Sequence, residues 1–395
     1  MQTSRWQKFE TSIFSKMSQL AQTHQAVNLA QGFPDFDGPQ AIKDAAIQAI
    51  RGDKNQYAPA YGVLELRKAL AERQKDSYSL DYNPQDEVTV FSGATEAIFC
   101  TIVGLCQAGD EIISFEPFYD SYPAAAMLSG AVMKTVALKA PNWTFDIEDL
   151  KAQITPKTKL LLLNTPNNPT GKVFSRKELL AIAQLAKDHN FFVMTDEVYE
   201  ELIYSPARHM PIATVPGMKD RTILVSSTSK TFSMTGWKIG YAFAPAFLTK
   251  AIRIPHQYTV FCSATPLQYG MIAALKLSYD YYHVLREEYS ERRAALFKLL
   301  VEMGFECHLP EGTYFIVANH KNLLDIPDTE FAVWLTKVVG VACIPVSSFY
   351  ADPEVAAKTS RYVRFGFCKD IATIEAAGAK FRANLKNGLN SYHHE

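Results

Sequence analysis

The sequence predicts an α/β protein, with a mostly parallel sheet covered by helices on both faces and a smaller α+β domain after it. Three observations predict this. At 395 residues the chain exceeds what one hydrophobic core usually supports, so two domains are expected. From Glu87 onward, short and nearly continuous apolar runs alternate with longer amphipathic ones. That pattern belongs to strands buried on both faces and connected by helices. From about residue 285 it changes to a charged helical run followed by shorter strand candidates, which reads as a second unit.

In chain order, residues 1–45 read as an arm that joins part of the small domain. Trp6, Phe9, Phe14 and Met17 form a candidate apolar face, and Asn28-Leu-Ala-Gln-Gly32-Phe-Pro34-Asp-Phe-Asp follows as a glycine- and proline-punctuated turn. Such an arm packs over a pocket or a partner subunit, or it is a surface extension. Helical patterns follow at 39–51 and 62–76. Strands are expected at 88–91, 111–115, 160–164, 191–195, 222–226 and 240–244, with helices at 95–106 and 175–188 among the segments between them. Residues 46–284 are assigned to the large domain and 285–395 to the small one. In the latter a helix is expected at 286–303 and strands at 314–318 and 362–367.

Composition narrows the function. Lysine plus arginine number 40 against 41 acidic residues, so no excess of positive charge points to a nucleic-acid partner. The six cysteines include no close C-x-x-C pair, which argues against a zinc or dithiol site and suits a reducing, cytoplasmic compartment. No apolar run reaches the roughly 20 residues of a membrane span, and the first residues lack a signal-peptide core.

The chemistry-bearing residues cluster at expected strand ends, where open α/β sheets place ligands. Lys230 follows an apolar strand and the hydroxyls Ser227, Thr228 and Ser229, and Lys238 lies eight positions on. An idle surface lysine is the bland reading. A lysine amine can also form a reversible Schiff base with an aldehyde, and neighbouring hydroxyls and a second cation suit a phosphate. Asp196 ends the apolar strand Phe191-Phe-Val-Met-Thr, where a carboxylate suits a cationic ring nitrogen, and Tyr199 lies one helical turn beyond. Asn164, Asn167 and Asn168 occupy a proline-glycine turn. The first two read as turn formers and Asn168 as a donor. Ser92-Gly93-Ala94-Thr95 joins a strand to a helix and can cradle a phosphate, with Thr95 as a plain N-cap the alternative. Tyr119 suits stacking on a flat ring or ordinary core packing. Arg364 sits in the apolar strand Tyr362-Val-Arg-Phe-Gly-Phe, so it must be ion-paired or face a polar cavity, where its fork fits a carboxylate.

Taken together, these segments resemble the class I aminotransferases of pyridoxal phosphate fold type I, nearest to the kynurenine, glutamine and methionine branch. The likeness spans nearly the whole chain. It rests on the ordered set Asn168-Pro-Thr-Gly, Asp196-Glu-Val-Tyr199 and Ser-Lys230-Thr-Phe-Ser-Met-Thr-Gly-Trp-Lys238. The resemblance implies a seven-stranded sheet in the large domain and pyridoxal 5′-phosphate as cofactor. It makes Lys230 both the aldehyde-binding amine and the proton carrier at the substrate Cα. Asp196 then matches the ring-nitrogen partner, Asn168 and Tyr199 the ring-oxygen partners, and Tyr119 the stacking aromatic. Gly93, Ala94, Thr95, Ser227 and Lys238 match phosphate and cofactor-pocket positions, and Arg364 the substrate carboxylate clamp. Gly32 and Phe33 match the substrate-side lining. Tyr57 resembles the tyrosine that reaches a neighbouring phosphate across a homodimer interface. Many relatives carry arginine at the position of Lys238, and tryptophan or phenylalanine at that of Tyr119.

Substrates follow as amino acids and 2-oxo acids. Phe14, Phe33, Tyr61 and Phe261 are candidates for an apolar or aromatic side-chain pocket, and no second positive clamp for a distal carboxylate stands out. Methionine, glutamine or aromatic donors, kynurenine included, are therefore expected over aspartate. Two alternatives remain open. One is β-elimination from cysteine S-conjugates, which needs no oxo-acid acceptor. The other is a noncatalytic protein of the same fold acting in regulation.

Overall fold

The computed structural model describes residues 11–392. Trp6 and Phe9 of the expected apolar face lie outside the described residues. Phe14 and Met17 fall in helix α1 (Ile13–Thr23), capped by the Ser12 hydroxyl, with Met17 buried.

Seven strands form the large sheet: β1 (Val88–Phe91), β2 (Glu111–Glu116), β3 (Val132–Ala137), β4 (Thr158–Asn164), β5 (Phe192–Asp196), β6 (Thr222–Ser227) and β7 (Gly240–Phe243). Their spatial order is β1-β7-β6-β5-β4-β2-β3. All run parallel except β7, which is antiparallel to both neighbours. Six of these strands lie where the apolar runs place them. The seventh, β3, had no strand assigned from its sequence. It is an edge strand, partly exposed along most of its length, so it has no continuous apolar run to reveal it.

Burial on both faces explains the apolar runs. In β4, Leu161 and Leu163 enter one core while Leu160 and Leu162 enter the opposite one, and in β5 Val193 and Met194 divide the same way. A period of two with apolar residues on both sides gives an unbroken apolar string. Helices α2 (Ala94–Leu105), α3 (Ser121–Ser129) and α4 (Arg176–Asp188) are among those between the strands. A capping box of Ser175 and Glu178 fixes the start of α4.

A further core collects Met17 and Leu29 from the N-terminal segment with residues of α5 (Tyr279–Glu302), β8 (Phe315–Asn319), β9 (Tyr362–Gly366) and α6 (Ile371–Tyr392). Strands β8 and β9 pair antiparallel, with Val317 opposite Arg364. The N-terminal segment is tied in by Val27–Asn28, which pairs parallel with Val341–Ala342. Tyr199, Leu202 and Tyr204, which follow β5, belong to this core as well, so it touches the carboxyl edge of the large sheet.

Candidate active site

Strand register brings the expected residues to one edge. Asn164 at the end of β4 pairs with Asp196 at the end of β5, and Ser227 at the end of β6 faces Gly240 at the start of β7. Phe91 ends β1 beside the same Gly240. Because β7 is antiparallel, the turn that precedes it, holding Lys238, lies at the same edge as the carboxyl ends of its neighbours. A cavity of about 210 Å³ opens there.

Of the residues singled out from sequence, Gly32, Gly93, Ala94, Thr95, Tyr119 and Asn168 line this cavity. Asp196, Tyr199, Ser227, Lys230, Lys238 and Arg364 line it as well. Two do not. Tyr57 is 84 % exposed and packs edge-on against Phe261, ring centroids 5.4 Å apart. Phe33 points outward, with its ring beneath the Lys369 ammonium. Of the proposed aromatic side-chain pocket, Phe14 alone lines the cavity. Tyr61 instead lies under the Arg253 guanidinium and Phe261 beside Tyr57, because both sit on outward-facing segments of this chain.

At one end the backbone comes close to a cation. Gly93 has φ +85°, and a Cβ there would stand 2.9 Å from Lys238 Nζ. Gly240 is as tightly placed, since its Cβ would collide with Gly93 and Ala94. Gly93, not Thr95, is the N-cap of α2; the positive φ makes glycine the residue for that turn, and Thr95 is the second helical residue. The first amides of α2, the Lys238 ammonium and the Ser227 hydroxyl thus form an anion cradle.

In the middle, Lys230 Nζ approaches the Gly32 carbonyl at 3.5 Å, between the faces of Tyr199 and Tyr314. Burial, with the charges of Lys238 and Arg364 adding to it, lowers its pKa to about 8. A minor neutral fraction, about a tenth at pH 7, is therefore present. Asp196 is 4 % exposed, and burial raises its carboxyl to about 6. Its Oδ2 accepts a 2.6 Å hydrogen bond from Tyr122, whereas Oδ1 is buried without a partner.

At the other end Arg364 is almost fully buried, and burial lowers its pKa to about 10. Its Nη1 donates to Asn168 Oδ1 at 2.7 Å and its Nη2 to the Ala30 carbonyl at 3.1 Å, while Nε has no partner. Phe315, Phe349 and Phe14 surround the guanidinium, with ring centroids at 3.8, 5.0 and 5.2 Å. Asn168 is itself held through its backbone amide, which donates to Asn164 Oδ1 at 2.7 Å. Asn164, read from sequence as a turn former, therefore also braces the site.

Sequence reasoning missed Tyr122 and Tyr314. Tyr314 donates to the Gly32 carbonyl at 2.5 Å. Neither belongs to a recognisable motif, and each acts through a contact distant in sequence. A larger and more open groove of about 970 Å³ lies between the 139–147 loop and residues 306–311, but two of its lysines are already ion-paired, Lys139 to Asp149 and Lys172 to Glu178. Of these two, among the described residues, the small cavity is the one with buried polar atoms left short of partners.

Those unmet groups fit pyridoxal 5′-phosphate. The cradle suits its phosphate, the orphaned Asp196 Oδ1 its ring nitrogen, the Asn168 amide and Tyr199 phenol its ring oxygen, and Lys230 its aldehyde. The described residues hold one group of potential metal ligands, Glu197, Glu200 and His209, and none of the three lines the cavity.

Comparison with known proteins agrees with this geometry. Residues 24–380 match the family model for aminotransferase class I and II. A probable N-succinyldiaminopimelate aminotransferase of Mycobacterium tuberculosis is 42% identical, over 95% of this chain and 97% of the relative. A kynurenine–oxoglutarate transaminase of Dictyostelium discoideum is 36% identical, over 93% of each. The crystal structure of YbdL from Escherichia coli, for which a methionine aminotransferase function was identified, superposes with a TM-score of 0.93 at 39% identity and covers 97% of this chain and 99% of that one.

Proposed function

The chain belongs to the class I and II aminotransferase family, and on that premise we propose that it is a pyridoxal 5′-phosphate enzyme that takes the amino group from methionine, glutamine or an aromatic amino acid such as kynurenine and passes it to a 2-oxo acid. One observation carries this reading. A single cavity holds a half-buried lysine of lowered pKa, a carboxylate oxygen without a partner, and an arginine with a free N–H among the described residues.

When bound, the cofactor supplies an aldehyde for amines to condense with and a cationic ring that draws electrons from the substrate Cα. The chain's own residues do the rest. Arg364 binds the substrate carboxylate in its planar fork and so fixes where Cα stands. Lys230 would hold the cofactor's aldehyde and, with its amine free, would carry the Cα proton, for which an amine with a pKa near the working pH is suited. Asp196 keeps a negative charge against the ring nitrogen. The phenylalanines around Arg364 exclude water and favour apolar or aromatic side chains. Among the described residues the cavity's cations are Lys230, Lys238 and Arg364, each with a role already, so none of these is left over for a distal carboxylate.

The outward-facing aromatics Tyr57, Tyr258 and Phe261 support a homodimer in which Tyr57 serves the neighbouring cavity. The six unpaired cysteines accord with a cytoplasmic setting.

The test is a spectral titration of the full chain with amino acids and 2-oxo acids. The absorption of the bound cofactor should shift with an amino donor and return with an acceptor. Borohydride reduction should place the cofactor on Lys230. Lys230→Ala should lower turnover on the order of 10⁴-fold, the upper range for a general base. A cofactor adduct elsewhere, or aspartate or an N-succinylated amino acid emerging as the preferred donor, overturns the corresponding part of the reading.

A further inference from the structure

The two oxygens of Asp196 have different surroundings. Oδ2 is 2.6 Å from the Tyr122 hydroxyl, within the short range of a charge-assisted O–H···O⁻ bond, whereas Oδ1 is buried with no hydrogen-bond partner among the described residues. Tyr122 comes from α3, on a different stretch of chain from β5, and it does not line the cavity. A carboxylate is otherwise loose, since rotation about its last torsion is broad and nearly two-fold. Pinning one oxygen decides where the other one points.

We propose that Tyr122 is a positioning residue for the cofactor, its hydroxyl holding one oxygen of Asp196 so that the other is presented, ionised, to the cofactor's ring nitrogen. This rests on the reading of the cavity as a pyridoxal phosphate site. Burial works against an ionised Asp196, and the Tyr122 hydrogen bond is the largest of the effects that favour it. The Val198 amide and the Lys230 charge act in the same direction and Glu197 opposes; the phenols Tyr119 and Tyr199 also feel the Asp196 charge. Tyr122 is fully buried, and its ring packs against Phe118 and Tyr119 at centroid distances of 6.1 and 5.9 Å. Phenylalanine at this position keeps those ring contacts and loses the hydroxyl alone.

The experiment measures cofactor affinity of the full chain by equilibrium dialysis, with pyridoxal 5′-phosphate and with its 1-deaza analogue, in which a CH group replaces the ring nitrogen. Tyr122→Phe should weaken the natural cofactor by about 10- to 100-fold, the range for a lost hydrogen bond to a charged group, and leave the analogue unchanged within about twofold. In an Asp196→Asn background the same substitution should have no further effect on the natural cofactor. Equal weakening for both compounds, weakening that persists beside Asp196→Asn, or no weakening at all overturns the assignment. If the wild-type chain fails to bind pyridoxal phosphate, the cofactor reading falls and takes this assignment with it.

Discussion

Two buried charge clusters meet at the end of β5, and they differ in balance. Behind the strand, Glu197 Oε2 lies 2.6 Å from His209 Nε2, Glu201 takes both Arg73 and Arg286, and Glu200 accepts hydrogen bonds from Ser226 and Tyr241. That cluster sets the basic groups of His209, Arg73 and Arg286 against three carboxyl groups, and although burial opposes the charge of His209, the neighbouring carboxylates raise its pKa. One residue earlier Asp196 faces the cavity, where among the described residues it is the sole carboxylate beside Lys230, Lys238 and Arg364. The titration of Arg73 and Arg364 reports the contrast. Burial is the largest single effect on Arg73 and opposes its charge, but Glu201, Tyr282, Glu200 and Tyr241 together outweigh it and the pKa rises, whereas Arg364 has no carboxylate ion-pair partner among the described residues and falls to about 10. A buried charge alone therefore does not mark a site. Charge left unmatched around a cavity does, because an anionic ligand completes it.

The largest break in this comparison is Arg364→Ala. If the guanidinium awaits a carboxylate, kcat/KM for an amino acid donor should fall by about 10²- to 10³-fold, as expected for truncating one member of a buried charge pair. Arg364→Lys keeps a charge without the planar fork and should recover only part of the loss. A primary amine without a carboxylate should react equally with wild type and variant. A loss below about fivefold on the amino acid would mean that Arg364 is structural, bound to Asn168 and Ala30 for the fold alone.

The balanced cluster should respond in the opposite sense. His209→Ala leaves Glu197 buried without its cation, and breaking such a pair costs about 3 kcal/mol of stability. Denaturant unfolding should show that loss, while KM and cofactor affinity stay within about twofold. If instead activity collapses with stability intact, the cluster behind the strand belongs to the catalytic apparatus and the division between the two regions fails.

The sequence made one half of this contrast visible. Lys230, Asp196 and Asn168 end or follow apolar strands that are buried on both faces, so their edge of the sheet was legible from pattern alone, and the cavity brings them together. The edge strand β3 was not legible, because partial exposure relaxes its composition. Nor were the braces. Tyr122 reaches Asp196 across 74 positions and Tyr314 reaches Gly32 across 282, contacts that depend on tertiary register and leave no local spacing. Thr95 is open to reading as an N-cap because hydroxyl residues favour that position, yet the cap lies two positions earlier, where a positive φ favours glycine. Tyr57 and Phe33 carry family likeness that a single chain's cavity does not express, since both point away from it.

The smallest effect sharpens the contrast from the side of the unmatched cations. With its pKa lowered from 10.5 to about 8 by burial, Lys230 in the cofactor-free chain is held against its own charge. Between those two values the unfolded chain keeps the proton and the folded chain has released it, so stability must rise with pH across that window. Below pH 8 both states are protonated and the full penalty remains. Asp196 acts elsewhere and in the opposite direction. Its carboxyl rises from 3.8 to about 6, so between those values the folded chain binds more protons and stability falls as pH rises. Subtracting a Lys230→Met variant isolates the lysine, since Asp196 and Arg364 are common to both chains. Wild type should gain on the variant by roughly 2 to 3 kcal/mol between pH 8 and 10.5, taking 1.36 kcal/mol per unit as the ceiling. Urea unfolding of the two cofactor-free chains at matched pH measures it. A flat difference would mean that Lys230 is already neutralised by a partner, as Arg73 is by Glu201, and the cavity would lose the imbalance that distinguishes it.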